Sequence, residues 1–84
     1  MDLHFPAEPS RTPRILVADD NRDTVLSVTL LLRNEGYEVR GVYSGSDVLR
    51  IARLHRFDAI ILDIEMPEIS GYAVAQELRM HYYG

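Results

Sequence analysis

The feature that most limits how this chain can fold is a pair of short apolar runs without alternation, Arg14-Ile15-Leu16-Val17-Ala18 and Ala59-Ile60-Ile61-Leu62. A half-exposed strand alternates polar and apolar residues, whereas an unbroken run of this length reads as a strand covered on both faces. Strands of that kind need helices above and below them, and the intervening sequence has the period to supply them. From Asn21 onward Val25, Val28 and Leu32 recur at helical spacing with Leu31 beside them, and Gly36 stands where a left-handed stop belongs. Glu38 to Val42 reads as a further strand, weakened by Gly41. Ser44-Gly45-Ser46-Asp47 has capping-box spacing ahead of a helix carrying Val48, Ile51, Ala52 and His55 on one side. Met66-Pro67 stops the chain from turning straight into helix after the last strand. Ser70 then caps a final helix in which Gly71, Val74 and Leu78 share a face. The order β-α-β-α-β-α predicts an α/β fold with a parallel sheet and right-handed crossovers.

Residues 1–13 hold three of the four prolines and show no periodicity, so they are expected to form a flexible N-terminal extension without elements. The remaining segment, 14–84, has to supply the core, and a chain of 84 residues buries only about 60–65% of its unfolded surface. There is no cysteine, so neither a disulfide nor a thiolate metal site can reinforce it. The formal charge of −4 argues against non-specific nucleic-acid binding. The arginine stripe Arg50, Arg53, Arg56 therefore reads as a solvated helix face. The longest apolar stretch, Val28 to Leu32, is too short to span a bilayer and no signal-peptide core follows Met1, so a cytoplasmic location is expected. His4, His55 and His81 have no ligand spacing among them. Met80, Tyr82 and Tyr83 make an apolar tip suited to packing under further chain.

Two of the strands end in carboxylate: Asp19-Asp20 follows the first and Asp63 follows the third. If these strands are parallel neighbours, the three acids meet at one rim of the sheet, where open α/β folds hold their ligands. Three carboxylates about 5 Å apart repel by about 3 kcal/mol per pair at an effective dielectric near 20, which a divalent cation relieves. Few carboxylates with room for water and a phosphate oxygen suit Mg²⁺ better than a closed calcium cage.

Asp19-Asp20, then Asp63-Ile64-Glu65-Met66-Pro67 and Gly71, together with Glu35-Gly36-Tyr37-Glu38-Val39, resemble the receiver domain of two-component response regulators. The resemblance covers residues 14 to about 81. It implies a flavodoxin-like sheet in which Asp63 is the phosphoacceptor for a phosphoryl group from the phosphohistidine of a sensor histidine kinase or phosphotransfer protein. It also implies that Asp20, Asp63 and the backbone carbonyl of Glu65 hold Mg²⁺, with Asp19 assisting through water. Such a module is a phosphoprotein of a phosphorelay rather than an enzyme.

A complete receiver has five βα units, and this chain is expected to be truncated after the third, with an incomplete sheet of strand order 2-1-3. The family's fourth strand ends in Ser or Thr and its fifth in Lys; neither position is reached, and no lysine occurs anywhere in the chain. With that order the Ala59–Leu62 strand becomes an apolar edge, so a homo-oligomer formed through that edge or through the open sheet faces is expected. The alternative function is a degenerate, non-phosphorylated receiver-like module used for interaction or dimerisation.

Overall fold

The computed structural model describes residues 2–4, 12–66 and 68–81. In chain order the elements are β1 (Asp2–His4), β2 (Arg14–Ala18), α1 (Arg22–Asn34), β3 (Glu38–Val42), α2 (Gly45–Leu54), β4 (Ala59–Leu62) and α3 (Gly71–His81). β3, β2 and β4 lie parallel in that order, which is the predicted 2-1-3 arrangement of an incomplete flavodoxin-like sheet. The bounds of these three strands coincide with those read from the sequence: β2 and β4 are apolar runs ended by an acid, and β3 lies between the Gly36 stop and the Ser44 cap.

The alternation along β2 and β4 divides the core between the two faces of the sheet. Ile15, Val17, Val39 and Ala59 turn to one face, where Val28 and Leu32 of α1 pack on them together with Ile61. Leu16, Ala18, Ile60 and Leu62 turn to the other, beneath Val48, Ile51 and Ala52 of α2 and Val74, Ala75 and Leu78 of α3. Phe57, 1% exposed, closes the second cluster at the base of β4. Helices thus flank both faces, as unbroken apolar strands require.

Two of the caps, Ser44 and Ser70, are those the sequence announced, and Asn21 supplies the third. Asn21 Oδ1 accepts from the Asp23 and Thr24 amides at 3.0 and 3.3 Å, starting α1. Ser44 and Ser70 do the same for α2 and α3 through the amides of Asp47 and Ala73, each at 3.2 Å. Gly36 adopts φ 97° after the end of α1, the left-handed conformation that its position predicted. On α1 the face differs by one residue from expectation: Leu31 is 63% exposed, and Thr29 is buried in the row with Val25. Positions 25, 28, 29 and 32 form one row along the helix, and 31 falls beside it.

The N-terminal segment departs from the sequence reading. Residues 1–13 were expected to form no element, yet Asp2–His4 form β1, paired antiparallel to β4 with Asp2 opposite Ile61, Leu3 opposite Ile60 and His4 opposite Ala59. The rest of the extension up to residue 11 lies outside the described residues. Leu3 is 5% exposed and belongs to the cluster formed with Leu62, Met66 and Leu78. A three-residue strand has no period to detect, and its formation is decided by the neighbour that buries its central side chain. The expected bare edge at Ala59–Leu62 is therefore covered, and β4 lies inside a four-stranded sheet.

Candidate functional site at the acidic rim

All three parallel strands point their C-terminal ends to the same rim. There the Asp19 amide donates to the Val42 carbonyl at 3.3 Å and the Asp63 amide to the Ala18 carbonyl at 2.9 Å, so both acidic tips are held by backbone bonds to neighbouring strands. Asp19, Asp20 and Asp63 each bring a carboxylate oxygen into a group whose members lie within 4.8 Å of one another. Asp19 and Asp63 are half-buried and Asp20 is exposed.

Local hydrogen bonds orient two of these carboxylates. Asp19 Oδ1 accepts from the Asn21 amide at 2.9 Å, and Asn21 in turn caps α1, so the first acid is built into the start of that helix. The positive end of the α1 dipole faces the same rim and favours anionic groups there. Asp63 Oδ1 accepts from the Glu65 amide at 3.3 Å, which limits rotation of that carboxylate. Glu65 itself is exposed and is not among the three acids gathered. The turn after Asp63 is tied to α3 through the Gly71 amide, which donates to the Ile64 carbonyl at 2.9 Å. A side chain at Gly71 would run into the Asp63 carbonyl oxygen, with the Ile64 Cα only 2.9 Å away. Glycine at this position lets α3 begin directly against the acidic turn.

One pair at this rim was not foreseen. The guanidinium of Arg22 lies 4.1 Å from the centroid of the Tyr43 ring, a cation–π stack between the first residue of α1 and the residue that follows β3. Tyr43 is next to Val42, whose carbonyl holds Asp19, so the stack ties the start of α1 to the end of β3 at this rim. The partners are 21 positions apart in the chain, and no spacing rule connects them.

The donor set fits the cation that the acids suggest. Three hard carboxylate oxygens, close together and open on the Asp20 side, match the preference of Mg²⁺ for a few carboxylates with remaining positions left to water and phosphate oxygen. Among the described residues no histidine joins them. A shallow concavity of about 590 Å³ lies elsewhere, along the outer edge of β3, and is lined by Arg33, Tyr37, Glu38 and Arg40; it shares no residue with the acidic group. No helix of the described residues is long and apolar enough to cross a membrane.

Comparison with known proteins agrees with this arrangement. The family model of the response regulator receiver domain matches residues 15–84. The transcriptional regulatory protein PrrA of Mycobacterium tuberculosis is 44% identical over 68 residues, 81% of this chain but only 29% of PrrA. A response regulator receiver protein of Anaeromyxobacter is 41% identical over 66 residues, 79% of this chain and 28% of that protein. Among solved structures, the chemotaxis response regulator CheY4 of Vibrio cholerae superposes with a TM-score of 0.82 at 32% identity, over 84% of this chain and 59% of CheY4. The chain thus spans under a third of the length of these curated relatives. With its three parallel strands, its acid-tipped rim and its match over residues 15–84, the chain belongs to the response regulator receiver domain family.

Proposed function

We propose that residues 14–84 act as the first three βα units of a phosphoacceptor receiver, taking a phosphoryl group on Asp63 from the phosphohistidine of a sensor histidine kinase or phosphotransfer protein. The observation that carries this reading is the convergence of Asp19, Asp20 and Asp63 within 4.8 Å, with the Glu65 amide orienting the Asp63 carboxylate. An oxygen of Asp63 attacks the phosphorus; the new O–P bond forms as the P–N bond to the donor imidazole breaks, and the bonding pair returns to that nitrogen. Asp20, Asp63 and the Glu65 carbonyl, with Asp19 through water, would hold Mg²⁺, which would supply charge stabilisation on the transferred group. Asp19 is oriented by the Asn21 amide, and Arg22, stacked on Tyr43, brings a positive group to the strand ends at this rim. The module is a signalling element whose acceptor is consumed and regenerated, not an enzyme acting on an external substrate, and its place is the cytoplasm. Self-association into a homo-oligomer belongs to the same reading.

The test is intact mass after incubation with a small phosphodonor and Mg²⁺. A single phosphoryl adduct on the parent chain and none on Asp63→Asn is the expected result. No adduct on either protein, or equal adducts on both, overturns the proposal in favour of a non-phosphorylated interaction module.

A further inference from the structure

The cavity of about 590 Å³ lies along the outer edge of β3, and the backbone of that strand decides which groups line it. In a parallel strand the N–H and C=O of one residue point to the same side and those of the next residue to the other. The Glu38 amide turns inward to the Pro13 carbonyl at 3.0 Å, and the Val42 carbonyl turns inward to the Asp19 amide at 3.3 Å, so the polar groups of Val39 and Gly41 point outward. The Val39 carbonyl accepts from Arg33 Nη2 at 3.0 Å. Three donors therefore follow one another along the edge: the Val39 N–H, the Arg33 guanidinium and the Gly41 N–H, the two amides being about 7 Å apart. The outward Gly41 carbonyl comes after them. Charge is uneven as well. Arg33 and Arg40 share the cavity with one acid, Glu38, whose carboxylate lies 3.7 Å from Arg14 Nε on the neighbouring strand. Arg40 is exposed, and among the described residues no hydrogen bond or ion pair engages it. Alternation puts Arg40 on the α2 side with Ile51, whereas Arg33 arrives from α1, so the two guanidinium groups approach the edge from opposite faces. In a chain of net charge −4 this is a local reversal of sign.

We propose that this cavity binds a small organic phosphate, with the phosphoryl group on Arg33 and Arg40 and the organic part against Tyr37 and Ile51. A row in which donors outnumber acceptors selects an anion, and the planar fork of a guanidinium suits phosphate oxygens. Two arginines are matched by a dianion, which favours a phosphate monoester over a monocarboxylate. The volume falls in the range of small-molecule sites and exceeds what an inorganic ion fills. Tyr37, 37% exposed, and Ile51 supply apolar surface for the remainder of such a molecule. The lining residues belong to α1, β3, α2 and the turn before β3, and none of them is Asp19, Asp20 or Asp63.

The test is a titration followed by ¹H–¹⁵N correlation spectra of the 84-residue chain carrying Asp63→Asn, in chelator, so that neither phosphoryl transfer nor metal at the acidic rim contributes. Its outcome is thereby independent of phosphorylation at Asp63. Phenyl phosphate is the probe, with inorganic phosphate and benzoate beside it. Saturable shifts at the Val39 and Gly41 amides are expected, with phenyl phosphate binding about tenfold or more tightly than either of the other two. Arg40→Glu is expected to weaken that binding by about tenfold or more. Arg53→Glu makes the same change of charge at an exposed position of α2 outside the cavity, and is expected to leave the affinity within about twofold. Both positions are exposed, so both variants keep the fold, which the dispersion of the remaining amides checks. Shifts at Val39 and Gly41 that are absent or do not saturate overturn the proposal. So does inorganic phosphate or benzoate binding as tightly as phenyl phosphate, or an equal loss from the two arginine variants.

Discussion

Replacing Asp63 by asparagine should stabilise the metal-free chain and destabilise the metal-loaded one relative to the parent. The three carboxylates lie within 4.8 Å, so each pair repels by about 3 kcal/mol at an effective dielectric near 20. Asp63→Asn removes two of the three pairs, a ceiling of about 6–7 kcal/mol before solvent is considered. Asp20 is exposed and its partners only half-buried, so screening lowers this to about 1–2 kcal/mol. Part of that gain is offset because the amide of an asparagine is a weaker acceptor for the Glu65 N–H than a carboxylate. The net gain is about 1 kcal/mol, or about 4–8 °C in Tm for a domain of this size. Mg²⁺ reverses the ranking: at a hundred times its dissociation constant it stabilises the parent by about 2.7 kcal/mol, and the variant by much less. The assay is urea unfolding of both chains in chelator and in saturating Mg²⁺, at low and high ionic strength. The stability curves should cross between the two conditions, and the metal-free gap should narrow as salt is raised. A variant no more stable than the parent in chelator, or one stabilised by Mg²⁺ as much as the parent, would refute the assignment of mutual repulsion to these acids.

Three further substitutions probe how the site is held. Thr29 is buried with its Oγ1 lacking a hydrogen-bond partner, so Thr29→Val should raise unfolding stability by about 1 kcal/mol; a loss would mean that the hydroxyl is satisfied. Gly71→Ala places a methyl against the Asp63 carbonyl and Ile64 Cα, and should cost about 1–3 kcal/mol while weakening Mg²⁺ binding measured by amide shifts at Asp63 and Glu65. Asn21→Ala removes the acceptor for the Asp23 and Thr24 amides and should cost about 1 kcal/mol, with faster amide exchange in the first turn of α1 as the local sign.

Much of this architecture was legible because local chemistry and global topology agree. The strand bounds of β2 and β4 were readable since their apolar runs are flanked by residues that end a strand, those of β3 since it lies between the Gly36 stop and the Ser44 cap, and Ser44 and Ser70 announce their helices through side-chain acceptors. The meeting of Asp19, Asp20 and Asp63 followed once β2 and β4 were taken as parallel neighbours. What escaped depends on partners distant in the chain. β1 exists because Leu3 finds a pocket beside Ile60, and the Arg22–Tyr43 stack because α1 and β3 end at the same rim. Leu31 was misplaced because adjacency to Leu32 in sequence is about 100° of rotation around the helix, enough to leave it in solvent.

The bond from Arg33 to the Val39 carbonyl has a bearing on the outer edge of β3. A guanidinium seated on that carbonyl occupies an acceptor that an added strand would need, and exposed Glu38 and Arg40 put charge on either side of it. The edge is thus closed to strand addition by its own side chains rather than by a covering element, and Arg33 does for the sheet what a cap does for a helix.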